Sequence, residues 1–190
     1  MTDNTTRRLL HRRSVTCEGY ERDDGLWDIE ATLTDIKTYP IENSERGQVP
    51  AGEPIHDMTL CLTLDDSLRI HAVSARTRHA PYHDCAAPPA RYDALVGLQI
   101  GSGWLSEARR RVARAEGCTH LSELLQYIGT AAIQTLFSVL EAKAQANPGG
   151  SHEMPDLRDS CYAFRRDGPQ VLKRWPRKKP AQKTEAQNSI

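Results

Sequence analysis

HDMTLCLTLDDSLRIHAVSART, residues 56–77, is the stretch on which the fold turns. Met58, Leu60, Leu62 and Leu64 alternate with Asp57, Thr59, Cys61 and Thr63. That period of two puts one face of a strand in a core and the other in water. Asp65-Asp66-Ser67 is a short turn, after which LRIHAVSART (68–77) resumes a strand pattern. Two such runs joined by so short a link form an antiparallel hairpin. Upstream, in LWDIEATLTDIKTY (26–39), Trp27, Ile29, Ala31 and Leu33 alternate with Asp28, Glu30, Thr32 and Thr34, a further strand. Between it and the hairpin, PIENSERGQVPAGEP (40–54) reads as a loop by its prolines, glycines and charges.

Beyond Pro88-Pro89 the spacing becomes helical. Short helices are predicted over 91–98 and 104–115, the second with Leu105, Ala108 and Val112 inward and Arg109, Arg110, Arg111 and Arg114 toward water. The longest signal is THLSELLQYIGTAAIQTLFSVLEAKAQ (119–145). Its leucines and isoleucines recur every three or four residues, an amphipathic helix with Thr119 as N-cap and a stop at Asn147-Pro148. The expected class is α+β: a three-stranded antiparallel sheet followed by helices packed on one face.

The chain has 190 residues, 38% of them hydrophobic, with 25 Lys and Arg against 25 Asp and Glu. Mean hydropathy is −0.60, and no apolar run nears 18 residues, so no membrane span is expected. The first residues, MTDNTTRRLLHRRS, have no apolar core of a signal peptide, and the five cysteines show no tight pairing. Together these features point to a reducing, cytoplasmic setting. The zero net charge conceals basic ends. Residues 1–13 carry four arginines against one acid, and residues 165–190 carry eight basic residues against two acids, which leaves the body at −9. The expected organisation is a basic flexible N-terminus (1–13), a single α+β domain (14–146), a linker with a docking segment (147–164) and a basic disordered tail (165–190). A tail with only Trp175 interleaved is a weak nucleic-acid binder, and the acidic body offers no groove for one. Another protein, or a second copy of this chain, is the expected partner.

Four fragments carry possible chemistry. In Gly117-Cys118-Thr119-His120 a thiol and an imidazole sit two apart where the long helix begins, a place that favours thiolate as nucleophile or metal ligand. The same residues also suit a small buried Cys beside a helix-capping His. His83-Asp84-Cys85 follows the third strand, as either a ligand-bearing loop or a turn capped by Asp84. His56, in Ile55-His56-Asp57-Met58, shares the phase of Met58 and Leu60 and so points inward, as a ligand or as a hydrogen-bonded core residue. Asp23-Asp24-Gly25 is a turn leading into a strand, and its carboxylates need no cation. His11, His71, His79 and His152 show no pattern, and Cys61 reads as structural. No Gly-rich phosphate loop, Ser-His-Asp arrangement or HExxH motif is present.

The phrases YERDDGLWDIEATLTD, GEPIHDMTL, PYHDC, ALVGLQIGSGW and GCTHLSELL, in that order over about residues 7–140, resemble the bacterial domain-of-unknown-function family numbered 2889. That family implies no activity. In architecture the chain also resembles scaffold proteins of iron–sulfur assembly, of the NifU/SufE-like kind. Those run as a three-stranded meander followed by helices and hold their ligands at a strand start, after the next strand and at a late helix. The corresponding places here are His56-Asp57, Cys85 and the Cys118/His120 pair. The departures are His for the first Cys, no glycine beside the second Cys, and Cys-Thr-His for His-Cys. The implied ligand set is therefore His56, Cys85, Cys118 and His120, with Asp57 as a further ligand or as the residue that orients His56. Two thiols and two imidazoles suit zinc or iron. The reading is a metal-binding carrier or accessory subunit. The alternatives are a cysteine-dependent enzyme, with Cys118 as nucleophile and His120 or His83 as base, and a non-catalytic interaction module.

Overall fold

The computed structural model describes residues 5–112, 114–147 and 156–175. The chain divides into two units, Met1–Met154 and Pro155–Ile190. The first unit runs β1 (His11–Glu21), β2 (Trp27–Lys37), β3 (Ile41–Asn43), β4 (Gly47–Val49), β5 (Pro54–Leu64) and β6 (Ile70–His79). Two 3-10 segments (His83–Ala86 and Pro88–Leu95), α1 (Trp104–Val112), a 3-10 turn (Arg114–Glu116) and α2 (Thr119–Ala146) follow.

The class is α+β, and its main sheet has four antiparallel strands in the order β1-β2-β5-β6. Three were expected. The addition is β1, from HRRSVTCEGYE, which pairs along its whole length with β2 from His11↔Lys37 to Glu21↔Trp27. Its pattern is faint because it is an edge strand: only Val15 and Cys17 are even half-buried. Gly19, next on that face, carries no side chain, and a Cβ there would lie 2.1 Å from Thr135 Oγ1 on α2. Strand β1 also takes up His11, Arg12 and Arg13, which the sequence had placed in a flexible terminus. The expected loop 40–54 holds the small β3–β4 hairpin, paired Ile41↔Val49 to Asn43↔Gly47.

The core follows the two periodicities. Trp27, Ile29, Ala31 and Leu33 of β2 and Met58, Leu60, Leu62 and Leu64 of β5 are all buried. Covering them are Leu121, Leu124, Leu125, Ile128, Ala132, Leu136 and Leu140 of α2, with Ala108 and Val112 of α1. Each large aliphatic contributes about 1.5–3 kcal/mol by leaving water. The first predicted short helix is a 3-10 segment, Pro88–Leu95, displaced toward the prolines. Helix α2 is capped by Cys118 in an extended conformation, with no side-chain cap bond, rather than by Thr119. Asn147 ends it, as its sequence predicts.

In the second unit, Pro169–Arg174 forms a short helix, α3, inside the stretch expected as a disordered tail. Phe164 and Trp175 meet edge to face with centroids 6.1 Å apart. The rest of that expected tail, 176–190, and residues 148–155 of the expected linker lie outside the described residues. Among the described residues no helix is long and apolar enough to cross a membrane.

Candidate metal centre

The inward phase of β2 runs on past Leu33 to Asp35, whose side chain is buried. Strand register then fixes its neighbours. Arg13 of β1 lies directly opposite on one side and His56 of β5 on the other. Arg13 forks onto the carboxylate, Nε to Oδ1 at 2.9 Å and Nη2 to Oδ2 at 2.7 Å. His11 Nε2 reaches Oδ1 at 2.8 Å and His56 Nδ1 reaches Oδ2 at 3.0 Å. An ionised carboxylate only accepts, so both ring nitrogens donate, and four donors occupy its roughly four lone-pair sites. Burial by itself would raise the Asp35 carboxyl, but the bonds from Arg13, His11 and His56 outweigh it and hold it well below the usual carboxylate range. Arg13 also donates from Nη1 to Glu123 Oε2 of α2 at 2.7 Å.

The start of α2 supplies the second half of the site. The His120 ring stacks on His56 with centroids 3.8 Å apart and planes tilted by 33°. Burial pushes both imidazoles below the usual histidine value of about 6.5. His56 is lowered further by the charge of His120, and His120 by that of Arg13. At neutral pH both rings are therefore in the neutral form that binds metals. The bond from His56 Nδ1 to Asp35 leaves its Nε2 as the free lone pair. Cys118 Sγ lies 3.8 Å from His120 Nδ1 and 3.8 Å from Met58 Sδ. Tyr92 anchors the Cys118 backbone, its hydroxyl donating to the carbonyl at 2.9 Å and accepting from the N–H at 3.3 Å.

Among the described residues, the group of His, Cys, Asp or Glu whose ligand atoms all lie within 4.8 Å of one another is Asp35, His56 and His120. Of the five residues read from sequence, the structure thus joins His56 to His120 and sets Cys118 against His120, outside that mutually close group. Asp57 points to the opposite face of the sheet, where Arg78 holds it through two bonds of 3.0 and 2.9 Å. Cys85 sits in the 3-10 segment His83–Ala86 and is not in the group; burial raises its thiol, with a smaller contribution from Cys118. His83, considered as a base, is 86% exposed beside Glu45. The sequence reading missed His11, Arg13, Asp35 and Met58. Asp35 carries a legible signal, since it continues the alternation of four buried residues. Arg13 and His11 have none without strand β1.

Residues 11–134 match the family described as Protein of unknown function (DUF2889), a span that contains every residue of the cluster. No curated protein and no solved structure matches the chain.

Proposed function

The chain belongs to the DUF2889 family of proteins of unknown function, and from that premise we propose that it binds a transition-metal ion, of the zinc or iron kind, as a carrier or accessory subunit. The proposed donors are His56 Nε2 and His120, with Cys118, which lies beside His120 but outside the mutually close group, as the third, and with Asp35 orienting His56. The observation that carries this reading is the stacking of two neutral, half-buried imidazoles 3.8 Å apart, one of them fixed in tautomer by a buried carboxylate. A carboxylate that holds the far nitrogen of a ligating histidine sets its ring orientation and raises its basicity. Asp35 fits that role rather than direct ligation, because its lone pairs are already taken. The position of Cys118 and His120 at the head of a late helix, where NifU-type scaffolds keep a ligand pair, supports the reading by analogy. Three protein donors leave a coordination position open, which suits transfer to a partner protein. The partly exposed His11 and Arg13, 40% and 37% accessible, form its rim.

Metal analysis of anaerobically purified protein tests this. About one zinc or iron per chain is expected, and its loss in a His56→Ala/His120→Ala variant. Unchanged metal content in that variant, or a folded protein that takes up no metal, would overturn it.

The 3.8 Å approach of Cys118 Sγ to His120 Nδ1 favours a second reading, a nucleophilic thiol with His120 as base. It requires alkylation of Cys118 in the metal-free protein to show an inflection that His120→Gln removes. Identical alkylation profiles in the two proteins would exclude it.

A further inference from the structure

Resting on the metal-binding reading, we infer that Met58 is a fourth donor and that the ion the site selects is copper in its cuprous form. Met58 follows His56 by two residues on the inward face of β5 and is fully buried. Its Sδ and His120 Nδ1 both lie 3.8 Å from Cys118 Sγ. A tetrahedral ion with metal–sulfur bonds of about 2.3 Å and metal–nitrogen bonds of about 2.0–2.1 Å separates sulfur from sulfur by about 3.8 Å and sulfur from nitrogen by about 3.6 Å. The sulfur–sulfur spacing meets this value and the sulfur–nitrogen spacing lies just beyond it. In the metal-free chain the Cys118 thiol lies 3.8 Å from both the Met58 sulfur and His120 Nδ1; on binding, the ion takes the place of the thiol proton, which leaves to solvent.

One feature picks the ion. A thioether is a soft, neutral donor that selects Cu(I), whereas imidazole and thiolate alone serve zinc and iron as well. Methionine as mere core filler accounts for its burial but not for a sulfur aimed at the thiol.

The test uses the full-length, metal-free chain, titrated anaerobically with Cu(I) against a colorimetric cuprous chelator and, separately, with Zn(II). Wild type is expected to bind one Cu(I) per chain in competition with the chelator. Met58→Leu keeps the core volume. It should lower Cu(I) affinity at least about tenfold, no less than loss of an outer-sphere partner costs, and leave zinc affinity unchanged. Cys118→Ser should weaken both metals. X-ray absorption should count two sulfur neighbours of copper in wild type and one in Met58→Leu. Equal Cu(I) affinity and sulfur count in the two proteins would overturn the role of Met58. Zinc binding without competitive Cu(I) binding would overturn the choice of copper while sparing the metal site. Failure to bind either metal, or Fe(II) in a parallel titration, would overturn the metal-binding reading itself.

Discussion

Asp35→Asn, in the metal-free protein, asks whether one carboxylate ties β1, β2 and β5 together at this end of the sheet. The substitution keeps the shape of the side chain and removes its charge. Two of the four donors, Arg13 Nη2 and His56 Nδ1, converge on Oδ2, so an amide nitrogen placed there faces donors instead of accepting from them. Placing the amide nitrogen at Oδ1 sets it against Arg13 Nε and His11 Nε2 instead. Either orientation breaks an Arg13 bond and forces the facing histidine to change tautomer or lose its own. A hydrogen bond to a charged group contributes about 1.5–3 kcal/mol. That figure is discounted for Arg13 and His11, which are 37% and 40% exposed and can turn to water, but not for His56, at 15%. The expected loss is therefore about 2–4 kcal/mol, short of the 3–5 kcal/mol or so typical when a fully buried ion pair is broken. Urea unfolding at pH 7.5 should show it as a fall in midpoint with an unchanged slope. A cycle with Arg13→Ala should give a coupling of about 1–3 kcal/mol, since the two residues share the same bonds. A loss below about 0.5 kcal/mol, or additive effects in the cycle, would refute the claim that this cluster organises the sheet end.

Acid should destabilise the metal-free protein in two stages. His56 and His120 have folded pKa values below the unfolded value of about 6.5, so the unfolded chain binds more protons and stability falls as pH drops below that value. Asp35 is depressed as well, because its charged form is favoured by its partners, and its contribution, present above the unfolded carboxyl value of about 3.9, is lost as pH falls through and below it. Urea midpoints measured from pH 8 to pH 3 should show both stages, and His56→Gln/His120→Gln should remove the first; a flat profile between pH 7.5 and 5.5 would contradict the assignment. Gly19→Ala should destabilise by about 1–3 kcal/mol, because the new methyl meets the β-branched Thr135, whose Cβ is 2.8 Å away and cannot rotate clear. Thr135→Ala in the same chain removes Oγ1 and Cγ2 but keeps Cβ, so it should restore part of that loss in thermal unfolding, and no restoration would mean that the helix does not approach β1 as closely as this.

Strands β2 and β5 and helix α2 were legible because each buries one whole face, and a buried face writes its period into the sequence. Strand β1 buries its face against a single helix from the sheet edge. Its inward positions hold Arg13, Val15, Cys17 and Gly19, of which only Val15 reads as a strand core residue. What hid β1 also hid half of the site. His56 and the Cys118/His120 pair could be found, one by its phase with Met58 and the other by its place at a helix start. Asp57 was grouped with His56 by adjacency, yet neighbours in a strand point to opposite faces, and the structure gives Asp57 to Arg78 instead. Asp35 and Arg13 are 22 residues apart, and Asp35 and His56 are 21 apart. Only strand register brings them side by side, and register is a property of the sheet rather than of any window of sequence. The residue that broke the apolar alternation of β2 without leaving its phase was therefore a better marker of the site than the closeness of His56 and Asp57 in the chain. A charged side chain kept on a buried face has to be matched there by partners, and those partners, once β1 is placed, are Arg13, His11 and His56.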